Sequence, residues 1–380
     1  MTTFDKLESH LRTRVVDMAK AKKEGKKIIG YIPGGYMPEE MVYAAGAIPV
    51  GLIRGGEHVP VEVAGAYLSR WMDTFCRAQI GYKVLKEDEI YQMIDLMVVP
   101  VTDVNIRSIA EMWGCYFGTS DLFTFGVPHR KTEHALHYYI HGLNRLKNKL
   151  EEITGNEITE TKLKDAVALS NRERQLLKEI SLMRKSSSLS ITGRQFTRLN
   201  HISFLGEKAT VVKLLGELKN ELKEGAKPFK GPRVLLTGST LAMGDYKIFD
   251  LIEKAGGDVV IEEFAEGVRN YWQAVDLNGD LMGALADRYF MRRVPPAWFR
   301  QSYPERFSFL TGLAKDFNAD GAIWYQLMYR DAYDVASHIF PDVFRKETGL
   351  STLKIESDYD EAEVGPFTTR VETFIETIRR

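Results

Sequence analysis

Cys76 and Cys115 are the only two thiols in a chain of 380 residues. Zinc ribbons and iron–sulfur clusters take sets of thiolates, so two cysteines alone build neither a paired-CxxC site nor a complete four-thiolate cluster. They also exclude a disulfide-dense secreted scaffold. Cys76 stands in Asp73-Thr-Phe-Cys-Arg77, where Arg77 could stabilise a thiolate or an anionic ligand. Cys115 stands in Trp113-Gly-Cys-Tyr-Phe117, an apolar setting that predicts a buried, inert side chain.

Three further groups could carry chemistry. His134, His137 and His141 share one face of a predicted helix, as metal-binding imidazoles do. Tyr138 and Tyr139 interleave with them and no HExxH pattern occurs, so a packed helix face is the preferred reading. Asp358, Asp360, Glu361 and Glu363 are rich in oxygen, but their spacing fits no EF-hand and predicts a solvated loop. The stretch Gly238-Ser-Thr-Leu-Ala-Met-Gly244 follows a strand and precedes a helix, so its backbone N–H groups could face a phosphate. It matches neither GxGxxG nor a Walker A pattern, and a plain strand–helix turn is preferred. Gly238 and Ser239 remain binding candidates, because open α/β sheets bind ligands in crevices at strand carboxyl ends.

The elements around these groups alternate. Strand-like runs occur at Ile28–Ile32, Ile48–Ile53, Asp95–Pro100 and Phe123–Val127, with helical patterns between them. Long helical patterns fill Leu136–Ile153, Thr161–Met183 and Leu214–Lys223. The segment Lys185–Gly193 reads either as a linker or as a helix-entry loop. Lys227-Pro-Phe-Lys-Gly-Pro232 marks a boundary, after which Arg233–Gly238, Asp258–Ile261, Gly321–Tyr325 and Thr352–Ile355 read as strands. The expected fold is α/β, with two Rossmann-like or flavodoxin-like lobes of parallel sheet (1–130 and 231–380) and a helical middle (131–230).

Composition narrows the function classes. Fifty-one basic and 52 acidic residues leave a net charge of −1, so no global field draws the chain to nucleic acid or an anionic membrane. The 44% apolar and 27% charged content is that of a folded globule. No run of 18 apolar residues predicts a membrane span, and Met1-Thr-Thr-Phe-Asp-Lys-Leu-Glu lacks a signal peptide's apolar region. The expectation is a soluble cytoplasmic protein.

Several segments, taken in order, resemble the paired subunits of 2-hydroxyacyl-CoA dehydratases and ATP-dependent benzoyl-CoA reductases. They are Lys27-Ile-Ile-Gly-Tyr-Ile-Pro, Tyr36-Met-Pro-Glu-Glu-Met-Val-Tyr-Ala-Ala-Gly-Ala-Ile-Pro49, Thr74-Phe-Cys-Arg77, Asp95-Leu-Met-Val-Val-Pro and Ile106-Arg-Ser-Ile-Ala-Glu-Met-Trp113. The series continues through Glu151–Thr159 and Ala319-Asp-Gly-Ala-Ile323 to Gly365-Pro-Phe-Thr-Thr-Arg-Val-Glu-Thr-Phe374. The resemblance implies a heterodimer of two similar subunits acting on acyl-CoA, with a [4Fe-4S] cluster between the lobes and a separate ATP-dependent activator that supplies one electron. Dehydratases of this kind eliminate water through a ketyl radical; the reductases add electrons to an aromatic thioester.

Cluster ligands implied by the resemblance are mostly replaced here. One falls in the loop Gly34-Gly35, one on Cys76, one on Thr102 or Asp103, and one on Arg330. An arginine offers no lone pair to iron and stays charged. The expectation is therefore a subunit that binds no cluster of its own, the [4Fe-4S] centre residing on a homologous cluster-bearing partner. The degenerate positions are Gly34, Gly35, Cys76, Asp103 and Arg330, with Cys76 the one ligand left if a cluster were bound. Substrate-binding candidates are Tyr36, Arg77, Gly238 and Ser239. Arg330, Asp103 and Arg77 could form an ionic replacement for the cluster or anchor a ligand anion. The alternatives are a benzoyl-CoA reductase-type subunit and a non-redox CoA-thioester binding or assembly module.

Overall fold

Short apolar runs bounded by turn residues suit strands buried on both faces. The computed structural model describes residues 2–117, 121–300 and 302–379, and it contains two such sheets. The first holds β1 (Ile28–Tyr31), β2 (Ile48–Gly51), β3 (Leu96–Val101) and β4 (Asp121–Gly126), all parallel, in the order β2-β1-β3-β4. The second holds β5 (Arg233–Gly238), β6 (Asp258–Glu263), β7 (Gly321–Leu327) and β8 (Ser351–Ser357), all parallel, in the order β8-β7-β5-β6. In the first lobe the strand order reverses between β1 and β3, and in the second between β5 and β7. Crevices open at such reversals.

Helices Glu133–Thr154, Glu160–Met183, Gly193–Ile202 and Lys208–Glu224 form the middle layer. Helix Thr3–Lys23 bridges that layer and the first lobe: Lys6 pairs with Glu217 at 3.2 Å and Arg198 with Glu8 at 2.7 Å, while Met18 joins the first lobe's core and Lys22 pairs with Asp95 at 2.9 Å. The segment 185–193 proves to be a helix entry, since Thr192 and Gln195 form a capping box on Gly193–Ile202.

Three local expectations are corrected. His134, His137 and His141 are exposed, because the buried stripe of their helix runs through Tyr139, Leu143, Leu146 and Leu150. Cys115 is exposed as well. Its helix buries Ile106, Ile109, Ala110 and Trp113, which leaves position 115 on the outer face. The acidic loop is partly engaged: Asp358 pairs with Arg77, and Glu363 pairs with Lys247 at 2.9 Å.

One apolar cluster spans the two lobes. Ala242, Met243, Leu327 and Tyr359 of the second lobe pack with the apolar residues of the first. Backbone bonds from Met243 N to Ile53 O (2.7 Å) and from Gly55 N to Met243 O (3.0 Å) stitch them together. Beside this seam lies Asp245, whose Oδ2 accepts from the Tyr325 hydroxyl at 2.6 Å while Oδ1 has no partner. Burial pushes its carboxyl up to about 6. A raised carboxyl favours the fold fully below its unfolded value of 3.8, and that stability is lost as pH rises through 6. Asp245→Asn keeps an acceptor for Tyr325 and removes the charge. Its unfolding free energy at pH 8 is expected to exceed wild type by up to about 3 kcal/mol. Urea titrations at pH 4 and pH 8 check this: a pH 8 midpoint at or below wild type contradicts it.

Candidate functional site

The two strand-order reversals face each other across the lobe boundary. From the first lobe, β3 runs into Thr102 and Asp103. Asp103 is extended and its Oδ1 accepts from Asn105 N (2.9 Å) and Ile106 N (3.2 Å), which caps helix Val104–Tyr116. Asp73 caps helix Thr74–Leu85 in the same way, accepting from Cys76 N at 2.9 Å. Asp73 N donates to Asn105 Oδ1 at 3.2 Å, so the two caps are tied together.

From the second lobe, β7 passes through Met328 and Tyr329 to Arg330. Tyr329 has φ 65, and this left-handed residue turns the chain at the strand end. The Arg330 side chain, only 10% exposed, crosses the boundary. Its Nε lies 3.3 Å from Asp73 Oδ2, and its Nη1 lies 3.2 Å from both carboxylate oxygens of Asp103. Burial disfavours the guanidinium's charge, but Asp103 and Asp73 outweigh it. Burial pushes the Asp73 carboxyl up, and Arg330 offsets this only in part. These two trends pull the same ion pair in opposite directions. An arginine stays protonated inside a protein, so the guanidinium is the fixed charge of the group. Cys76 is fully buried beside it. Burial, reinforced by Asp73, drives its thiol well above the usual range and keeps it neutral.

The remaining candidates divide. Gly34 and Ser239 line a cleft with Pro33, Thr102, Arg269 and Arg330. Gly34 O accepts from Arg293 Nη2 at 2.8 Å. Gly35 has φ +78, and a Cβ there would meet that guanidinium at 2.0 Å, so the loop closes on Arg293 only as glycine. Tyr36 is buried behind the loop, its ring stacked on Phe299 and covered by Arg293. Ser239 Oγ accepts from Leu327 N at 2.9 Å, which holds β7 beside the turn at Gly238. Arg77 is taken up by Asp358, Met72 O (3.0 Å) and Thr74 Oγ1 (3.3 Å).

Sequence reading missed Asp73, which looks like any helix cap until Arg330 meets it. It also missed Arg269, which lines the cleft beside Arg330. Arg269 Nε lies 2.8 Å from Glu263 Oε1, and Arg306 Nη2 lies 2.8 Å from Glu263 Oε2.

The cleft holds about 30 Å³, space for about two water molecules. Roomier grooves, such as the 460 Å³ one beside Tyr303 and Ile339, lie on outer helix faces away from these side chains. A [4Fe-4S] cluster does not fit the residues present. Cys76 is the single thiol at this site, Arg330 is a cation, and among the described residues no three His, Cys, Asp or Glu side chains gather as a metal site requires.

Comparison with known proteins follows both lobes. A family model described as 2-hydroxyglutaryl-CoA dehydratase, D-component, matches residues 35–378. The chain is 22% identical over 365 residues to the (R)-phenyllactyl-CoA dehydratase beta subunit of Clostridium sporogenes, covering 95% of this chain and 94% of that one. It is 24% identical over 388 residues to the beta subunit of (R)-2-hydroxyglutaryl-CoA dehydratase from Acidaminococcus fermentans, covering 99% and 98%. With a benzoyl-CoA reductase subunit of Thauera aromatica it shares 25% identity over 269 residues, covering 70% and 69%. The family match runs from β2 to β8 and through both strand ends that meet at Arg330, and the chain belongs to the 2-hydroxyglutaryl-CoA dehydratase D-component family.

Proposed function

We infer that this chain is one subunit of a heteromeric 2-hydroxyacyl-CoA dehydratase-type enzyme, that it holds no cluster itself, and that it pairs with a homologous cluster-bearing subunit. The observation that carries the reading is Arg330, ion-paired to Asp73 and Asp103 at the lobe boundary of a chain whose relatives are named as beta subunits. The net reaction removes water from a 2-hydroxyacyl thioester to give the enoyl thioester. A cleft of about 30 Å³ admits no acyl group, so this chain's share of the work is to wall a pocket completed by the partner. The partner carries the [4Fe-4S] centre, and an ATP-dependent activator delivers the electron. A reductase-type role is the second reading, favoured only by the likeness to the benzoyl-CoA reductase subunit.

Co-expression with a cysteine-bearing family subunit tests this. The expected result is a stable heteromer that, with activator and ATP, dehydrates aliphatic 2-hydroxyacyl-CoA and leaves benzoyl-CoA untouched. Two monomers on gel filtration, or a heteromer active on neither thioester, overturns it. Reduction of benzoyl-CoA selects the second reading.

A further inference from the structure

We propose that Arg330 is a cross-lobe tie standing where a metal centre would otherwise join the lobes, so that this chain closes its cleft independently of iron. The proposal rests on the cluster-free reading above and adds a physical role for the residue that replaces a ligand.

The geometry is specific. Arg330 leaves the end of β7 in the second lobe, and both its partners belong to the first. Asp73 and Asp103 are already fixed by the helix N-termini that they cap, so the guanidinium meets two carboxylates that cannot swing away. Its Nη1 is shared between both oxygens of Asp103, while Nε faces Asp73. The Tyr333 ring lies 5.9 Å from the guanidinium carbon and adds a cation–π contact. Two other arginines bond across the lobes: Arg77 reaches Asp358, which Thr74 of the same helix also reaches, and Arg293 reaches Gly34 O. Arg330 alone among these three engages two capped helix ends at once.

Electrostatics explains why the group holds as a unit. Asp73 and Asp103 approach the same guanidinium, so without it two acidic groups face each other in a space nearly closed to water. Removing one member of a buried charged set costs far more than replacing the whole set by neutral groups. Asparagine caps helices about as well as aspartate, so the charges can be deleted while the caps stay.

This gives a test that needs neither acyl-CoA nor a partner. Arg330→Met is expected to lower the melting temperature by roughly 4–6 °C. Adding Asp73→Asn and Asp103→Asn to that variant is expected to recover most of the loss, and Arg330→Lys is expected to fall between wild type and Arg330→Met. Wild-type protein prepared anaerobically with ferrous iron and sulfide is expected to melt where the untreated protein does and to show no iron–sulfide absorption. An Arg330→Met melting point equal to wild type overturns the proposal, as does a triple variant no more stable than the single one. So does an iron-dependent rise in the wild-type melting temperature. If Arg330→Met fails to fold, the lysine variant and the iron comparison still decide. Loss of dehydratase activity in the co-expressed complex bears only on the functional reading, so the two fail separately.

Discussion

Gly238→Ala is expected to cost roughly 4 kcal/mol or more of unfolding free energy, because no movement of one side chain can make room for it. Gly238 ends β5 with φ +150, a region almost closed to residues with a Cβ. A Cβ built there lies 1.5 Å from Tyr325 O and 2.4 Å from the Tyr325 carbonyl carbon. Both obstacles are backbone of β7, the strand paired with β5 at this register. To accept alanine, the strands must part where Ser239 N donates to Tyr325 O (3.2 Å) and Leu327 N donates to Ser239 Oγ (2.9 Å). Arg306 Nη2 also donates to Gly238 O at 2.8 Å. The damage therefore spreads to the strand end that delivers Arg330. Gly216 is the control: it sits in helix Lys208–Glu224, where an added Cβ would meet nothing within 4 Å, so Gly216→Ala is expected to stabilise by about 0.5–1 kcal/mol. Urea midpoints compare the two. A Gly238→Ala midpoint near wild type shows that the strand end is not closed as described.

The sequence made the architecture readable because parallel strands leave a strong mark. Ile28–Ile32 and Arg233–Gly238 are apolar runs closed by glycine or proline, and their burial on both faces permits little else. Helix faces were less legible where aromatics mislead. Cys115 lies among Trp113, Tyr116 and Phe117, yet the stripe through Ile106, Ile109 and Trp113 turns it outward. The site was legible in one half. Arg330 at a ligand position stood out because its chemistry forbids iron ligation. Asp103 was named beside it and does answer it, whereas Arg77, grouped with them, pairs with Asp358 instead. Asp73 was hidden, since only the topology brings β7 opposite it. Buried charges such as Glu263 are the least legible, because a charged residue in sequence reads as solvent-facing until its partners are known.

Glu263 therefore supplies the second large effect. It is fully buried at the end of β6, and so is Arg306. Its Oε2 accepts from Arg306 Nη2 and from Thr237 Oγ1, both at 2.8 Å, and its Oε1 lies 2.8 Å from Arg269 Nε. One carboxylate thus serves two guanidiniums: Arg306 holds Gly238 O, and Arg269 lines the cleft. Burial alone would raise the Glu263 carboxyl, but Arg269 and Arg306 outweigh it and hold it below its ordinary value of 4.5. A lowered carboxyl contributes its stability above 4.5, and that stability is lost as pH falls through the lower folded value. Glu263→Ala strands two buried cations and is expected to cost roughly 3–5 kcal/mol at pH 7. Glu263→Gln keeps one acceptor oxygen for Thr237 and Arg306, though its amide N–H₂ then faces Arg269, and is expected to cost less, while losing the same charge. Both variants should therefore lose less stability than wild type on acidification below pH 4.5, because the group that titrates there is gone. Urea unfolding at pH 7 and through the acid range measures both quantities. A Glu263→Ala variant within about 1 kcal/mol of wild type at pH 7 means the two guanidiniums reach water or another anion, and the closed cleft wall built on Arg269 then fails with it.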